Sequence, residues 1–315
     1  MTIRKKFMLA GLGLAFASAI IATPASAATS DVQKVINEGY VQPDYVLGYS
    51  LDDAQRQTTL NLLGYNAAND TQIKTLTTSA YAKIMNVADD PGIQLYSSVK
   101  IKKLGAKEVL TVEIVTPDKI TKVTQDMYRN AAVTLGIEHA DISIAAPIAV
   151  TGESALAGIY YSLEEKGAQI PQKNKELAQE ELKALSDINA NNQGKNGYDA
   201  DKLNVALTDI KSQVAKGGSQ LTKEDVEKIV TDTIAKYKLD QVISQDQITM
   251  INNFAFNLSN SGIITSGDFT KTLNSLKESI VAKSGNASKE LILIPQRQSK
   301  LVKAFGNKSL ISLRV

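Results

Sequence analysis

The chain has 315 residues, with 35 Lys and Arg, 33 Asp and Glu and a single histidine, for a formal net charge of +2. That balance lacks the strongly basic face of a nucleic-acid binder. The absence of cysteine excludes disulfides, thiolate metal sites, a cysteine nucleophile and a lipid-bearing cysteine behind a leader, so the core alone must supply stability.

In chain order, Arg4, Lys5 and Lys6 precede an apolar run from Phe7 to Ala22, followed by Pro24 and Ala25-Ser26-Ala27. This three-part pattern is that of a secretory leader over residues 1–27, cleaved after Ala27. The run is too short and too rich in Gly and Ala for a permanent span, and no later stretch approaches the apolar length a bilayer requires. Three basic residues fall in the leader, which leaves 32 positive against 33 negative side chains in a nearly neutral mature protein. The expected location is secreted or envelope-associated, on the extracellular side.

The remainder divides by texture into an α+β domain over 28–168, a helical domain over 169–285 and a basic tail over 286–315. Ser50, with Asp53 three residues on, opens a helix that stops at Gly64. Ile73 to Leu76 reads as a strand and Ser79 to Met85 as a short helix, with a turn at Asp89-Asp90-Pro91-Gly92. Ile93 to Leu104 and Val109 to Thr116 alternate around Gly105-Ala106 and predict a β-hairpin. Val123, Met127, Ala131 and Leu135 recur at steps of four, one face of a helix over 121–135 that Gly136 ends. A strand then runs from Ile142 toward Val150, and Leu156, Ile159, Tyr160 and Leu163 mark an amphipathic helix. Without the first and last helices, the order is the βαββαβ of a ferredoxin-like sandwich.

From Pro171 to Ser284 the pattern is almost purely helical, with connectors at Asn189 to Gly197 and at Gly217-Gly218-Ser219. Thr222 with Asp225 caps one helix and Ser244 with Gln247 another; Phe269, Leu273, Leu276 and Ile280 line a third. No heptad is sustained, which predicts a small bundle rather than a coiled coil.

One stretch raises a question of chemistry. Gly152-Glu153-Ser154-Ala155 resembles an esterase elbow, but G-x-S-x-G requires glycine at 156, where Leu156 stands. His139 precedes Ser154, whereas elbow hydrolases place the acid and the histidine after the serine. The structural reading is preferred, and no catalytic residue is assigned. Pro147 ends the strand, Thr151 or Gly152 caps the next helix, and Glu153 complements its dipole. Ala155, Ala157 and Gly158 then allow close approach to the sheet. A binding variant puts Thr151, Gly152 and Ser154 around an anion at the helix start, against the charge of Glu153.

Other motifs carry less. His139 with Glu138 and Asp141 reads as a helix-to-strand turn rather than a metal site. Asp187, Asn189, Asn191 and Gln193 echo a calcium loop, yet Asn192 and Tyr198 occupy the positions that need Gly and Glu. Carboxylate pairs such as Glu180-Glu181 diverge on a helix and do not make facing acids. Neither a Walker loop nor a dinucleotide fingerprint is present, so no cofactor and no metal are expected. From Asn286 to Val315 the tail carries six basic residues against Glu290. Such an end is drawn to anionic wall polymers or lipid headgroups.

Ile120-Thr121, Val123-Thr124, Met127-Tyr128, Leu135-Gly136-Ile137, Ala146-Pro147, Val150-Thr151-Gly152 and Ala155 to Ile159 together carry a resemblance. Residues 46–166 resemble the YpuA-like family of exported Gram-positive proteins, domain of unknown function one-thousand-and-two. In that family another small hydroxyl residue follows the glycine, so Glu153-Ser154 is a local variant. The resemblance implies an exported, envelope-facing protein and brings no activity, cofactor or catalytic residue. The leading expectation is a non-enzymatic binding or interaction protein at or outside the envelope. The alternative is a carboxylate-dependent hydrolase acting on wall polymers or peptides.

Overall fold

The computed structural model describes residues 30–284, so the leader and the basic tail lie outside the described residues. Five short strands form one mixed sheet: β1 Asp44–Gly48, β2 Gln72–Leu76, β3 Ser98–Lys103, β4 Thr111–Ile114 and β5 Ala140–Ala145. Their order is β2-β1-β3-β5-β4. β1 and β2 run parallel, as do β4 and β5, while β3 is antiparallel to both β1 and β5. Parallel neighbours need a crossover. Helix α2 (Asp53–Leu62) supplies one and α4 (Gln125–Thr134) lies in the other. Three more helices belong to this half: α1 Asp31–Gly39, α3 Thr78–Met85 and α5 Ser154–Glu165. The rest is helical: α6 Gln172–Asn192, α7 Ala200–Gly217, α8 Lys223–Lys236, α9 Gln245–Ser259 and α10 Phe269–Lys283.

The α+β class holds, but the ferredoxin-like order does not. The expected hairpin is absent, because β3 and β4 each pair with β5 rather than with each other. Ala140, Ile142 and Ile144 of β5 are wholly buried. This apolar strand takes a place inside the sheet and leaves β4 at the edge. β1 was not anticipated: all five of its residues are buried, so DYVLG shows no polar alternation to read. The cap of α2 is Asp52 with Gln55 in a capping box, not Ser50 with Asp53. Ser50 instead accepts the N–H of Leu95 at 2.9 Å and fastens the end of β1 to the approach to β3. The helix predicted from 121 begins at Gln125 behind Thr124, and α6 runs to Asn192, into the expected connector.

Val46, Val99, Ile101, Val112, Ile142 and Ile144 share one face of the sheet and enter the main core. α5 covers β1 and β3, and α4 covers β4. Close approach there depends on small residues: a Cβ at Gly158 would lie 3.3 Å from Val99 Cγ2. The opposite face carries a smaller cluster around Tyr45, Leu47 and Leu63. α4 also packs against α6, α7 and α10, and one apolar cluster runs from Val32 to Ile280. Sheet and bundle therefore share a core. Among the described residues no helix is long and apolar enough to cross a membrane.

Candidate functional site

The segment that resembled an elbow is a structural joint in its bonding. β5 ends at Ala145, two residues before Pro147, as the missing N–H of proline requires. Gly152 has φ +96°, and a Cβ there would stand 2.6 Å from both Ile120 Cγ2 and the Tyr128 hydroxyl oxygen. The wholly buried Tyr128 donates to the Gly152 carbonyl oxygen. Burial, and then the charge of Glu153, push the Tyr128 hydroxyl pKa well above the usual tyrosine value.

The expected cap by Thr151 or Gly152 is not the one formed. The N-cap residue of α5 is Glu153, whose side chain caps no backbone N–H. Its two carboxylate oxygens accept from Thr151 Oγ1 at 3.2 Å and Ser186 Oγ at 3.1 Å. Thr151 is exposed, Gly152 is buried and Ser154 is half-buried at the first position of the helix. His139 belongs to a different place, a cleft it shares with residues of α10.

A second polar cluster sits between α5 and the sheet. Ser162 Oγ donates to Asp44 Oδ2 at 2.5 Å, Lys74 Nζ reaches the same oxygen at 2.9 Å, and the Tyr40 hydroxyl lies 2.7 Å from Ser162 Oγ. Ser162 and Asp44 have no exposed surface, so this chain of groups pins α5 to β1 and β2 and offers no substrate access.

The concave surface lies where the sheet half meets the bundle. One lobe, of about 320 Å³, is lined by Lys107 and Glu108 from the β3–β4 loop, Glu138 and His139 ahead of β5, and Asp268 and Lys271 at the start of α10. A second lobe, of about 350 Å³, is lined by Val32, Leu135, Pro171, Asn174, Gly262 and Ile263, among others. A small hollow of about 10 Å³ has lining in common with both: Glu138 and Thr272 with the first lobe, Ser30 and Ser266 with the second.

The wall between the lobes is tied down by the start of α1. Ser30 Oγ accepts the N–H of Gln33 at 3.0 Å and donates to the Gly136 carbonyl oxygen at 2.5 Å. Ser30 N–H donates to Glu138 Oε1 at 3.0 Å. Gln33 is wholly buried: its Oε1 accepts the N–H groups of Glu138 and His139 at 2.8 and 2.9 Å, and its Nε2 donates to the His139 carbonyl oxygen at 3.0 Å. A loop that needs Gly136 at φ +93° is thus held by one amide side chain. The signal for this element was present as Ser30-x-x-Gln33, a capping pattern ahead of Val32 and Ile36. Its place directly behind the leader masks it as the start of a helix. Among the described residues no group of three or more His, Asp or Glu is placed to hold a metal ion, and His139 Nε2 is buried with no hydrogen-bond partner.

No solved structure matches the chain. Over 186 residues it is 28% identical to the Uncharacterized protein YpuA of Bacillus subtilis (strain 168). That stretch covers 58% of this chain and 59% of the relative, so the chain spans less than two thirds of the relative's length. The model of one family, described as Protein of unknown function (DUF1002), matches residues 47–276, from within β1 through the first half of α10. This chain belongs to that family.

Proposed function

We propose that the protein is exported, loses residues 1–27 and works at or outside a Gram-positive envelope as a non-enzymatic binding protein, with the two-lobed groove as its ligand surface. The single observation that carries this reading is the Gln33 staple: three hydrogen bonds from a buried side chain fix the dividing wall of a preformed concavity. A wall fixed before binding lowers the ordering cost of taking a ligand. The second lobe combines the apolar Val32, Leu135 and Ile263 with the polar Asn174, a mixture suited to a segment of peptide character. The leader pattern supports an exported role. The basic tail adds attraction to anionic wall polymers or headgroups.

A hydrolase is the alternative, because Glu108, Glu138 and Asp268 line one lobe. Two of these carboxylates are committed to the fold: Glu108 Oε2 accepts the N–H of Gly105 at 2.7 Å and Glu138 Oε1 that of Ser30. That commitment favours holding over proton transfer. The hydrolase reading requires that Glu108→Gln abolish turnover of wall material.

The test uses the purified mature protein on isolated walls and envelope membranes, beside a Gly262→Arg variant. Gly262 lines the second lobe and a Cβ there meets nothing within 4 Å, so a large charged side chain can be added at the lobe without disturbing the core. Binding reduced at least about tenfold, roughly 1.4 kcal/mol, supports the groove. Undiminished binding by a folded variant refutes it.

A further inference from the structure

Glu138 and Thr272 line both the His139 lobe and the small hollow beside it, which places the two side chains next to each other within the groove. Thr272 is only 8% exposed, and among the described residues its hydroxyl makes no hydrogen bond. That oxygen is not sealed off, as His139 Nε2 is, so it opens on the cavities that Thr272 lines. Glu138 is fixed through Oε1, which accepts the Ser30 N–H at 3.0 Å, while among the described residues its Oε2 accepts no hydrogen bond. Two preset acceptors thus stand together without a donor, and groups so nearly buried are ordinarily paired.

The charge of the lobe is unbalanced in the same sense. Of its three carboxylates, Asp268 is paired with Lys271 at 3.1 Å. Glu108 and Glu138 hold only backbone N–H groups, which fix a carboxylate without cancelling its charge. Against these two stands one further cation, the exposed Lys107, which among the described residues forms no ion pair. The excess left over is negative.

We infer that the His139 lobe binds a primary ammonium group carried by a peptide, with Glu138 Oε2 and the Thr272 hydroxyl as its acceptors. The inference rests on the binding reading above and supplies the charge of the ligand. An ammonium group is all donor, with three N–H bonds and no acceptor. A guanidinium fork is best met by both oxygens of one carboxylate, and Ser30 already occupies one of those of Glu138. A metal ion fits less well, since among the described residues no group of three or more His, Asp or Glu is placed to hold one. About 320 Å³ accommodates a lysine-type side chain or the first residue of a peptide.

The experiment titrates the purified protein with three small probes and follows the backbone amide signals of Glu138, His139 and Thr272 by NMR. Nα-acetyl-lysine N-methylamide carries a side-chain ammonium only, alanyl-alanine N-methylamide an amino-terminal one only, and Nα,Nε-diacetyl-lysine N-methylamide neither. At least one charged probe is expected to shift these signals saturably at millimolar concentration, and the one that does so identifies the source of the ammonium. The diacetylated probe should bind at least about tenfold more weakly. The charged probe should lose as much on Glu138→Gln, which keeps an acceptor for Ser30 N–H, and on Thr272→Val, which keeps the volume.

The absence of a saturable shift with either charged probe overturns the inference. So does equal binding of the diacetylated probe, or binding that either variant leaves unchanged while its amide spectrum stays native. These titrations use no envelope material, so the groove as a ligand surface stands or falls separately, on the Gly262→Arg comparison.

Discussion

Lys211 Nζ lies 2.8 Å from Glu181 Oε1, and neither side chain has any exposed surface. Lys211 also donates to the Asn130 carbonyl oxygen at 2.8 Å, and Glu181 Oε2 accepts from Thr134 Oγ1 at 2.5 Å. One ion pair thus fastens α4, the helix that covers the edge of the sheet, to α6 and α7 of the bundle. Burial pulls the Lys211 pKa below the usual lysine value despite the opposing pull of Glu181. Removing one partner leaves a buried charge without compensation. Lys211→Met is expected to lose about 3–5 kcal/mol in urea unfolding, and Lys211→Met with Glu181→Leu to recover most of it. A single substitution with no measurable loss would show that the pair is not closed.

Gly152 and Ser154 are two residues apart and should respond in opposite ways. Gly152→Ala forces a Cβ into Ile120 and Tyr128 at a positive φ, and should cost about 1–3 kcal/mol by thermal or urea unfolding. Ser154→Ala should stay within about 0.5 kcal/mol, because among the described residues no hydrogen-bonded partner depends on the hydroxyl. Any activity found in the protein should survive Ser154→Ala with the fold intact.

Asp209 joins three helices, since Lys236 on α8 (3.0 Å), Tyr237 beyond it (2.6 Å) and Lys277 on α10 all reach its carboxylate from around α7. Burial raises its pKa, but Lys277 and then the other partners outweigh that and hold it below the usual carboxylate value. A folded pKa below the unfolded value, near ~3.9, means stability that is present above that value and lost as pH falls through the folded one. Asp209→Asn is expected to cost about 1.5–3 kcal/mol at neutral pH. The two stability curves should converge in acid, and parallel curves down to the acid transition would contradict the assignment.

Gln33→Leu fills similar space but leaves the N–H groups of Glu138 and His139 without their acceptor. Each orphaned group costs about 1–3 kcal/mol where water cannot replace the partner. Hydrogen exchange at these two amides should accelerate by more than the global loss of stability explains, and binding through the groove should weaken with it.

What could be read from the sequence was local. The Thr222–Asp225 and Ser244–Gln247 capping boxes form as their spacing predicts. The strand ends at Ala145, just short of Pro147, and Ala155, Ala157 and Gly158 are buried where the helix meets the sheet. Strand order was not legible, because it depends on pairings between residues far apart in the chain. Alternation shows that β3 and β4 are strands, but not that β5 stands between them. The groove was less legible still. It gathers residues from 30 to 275, and its key side chain, Gln33, looks like any polar position on a short helix until the loop it holds is known. His139 was read as part of a turn, which it is. Nothing in its neighbours announced the cleft beside it.

The central claim is that the groove is where this protein meets its ligand, and photo-crosslinking from within it in intact cells tests that most directly. A photoreactive residue at Asn174 lines the second lobe, and one at the exposed Lys102 reports on the far face of the sheet. The account predicts adducts with envelope material from position 174 that Gly262→Arg suppresses, and few from position 102. Adducts from 102 at equal or greater yield, or adducts from 174 that Gly262→Arg leaves unchanged, would contradict it.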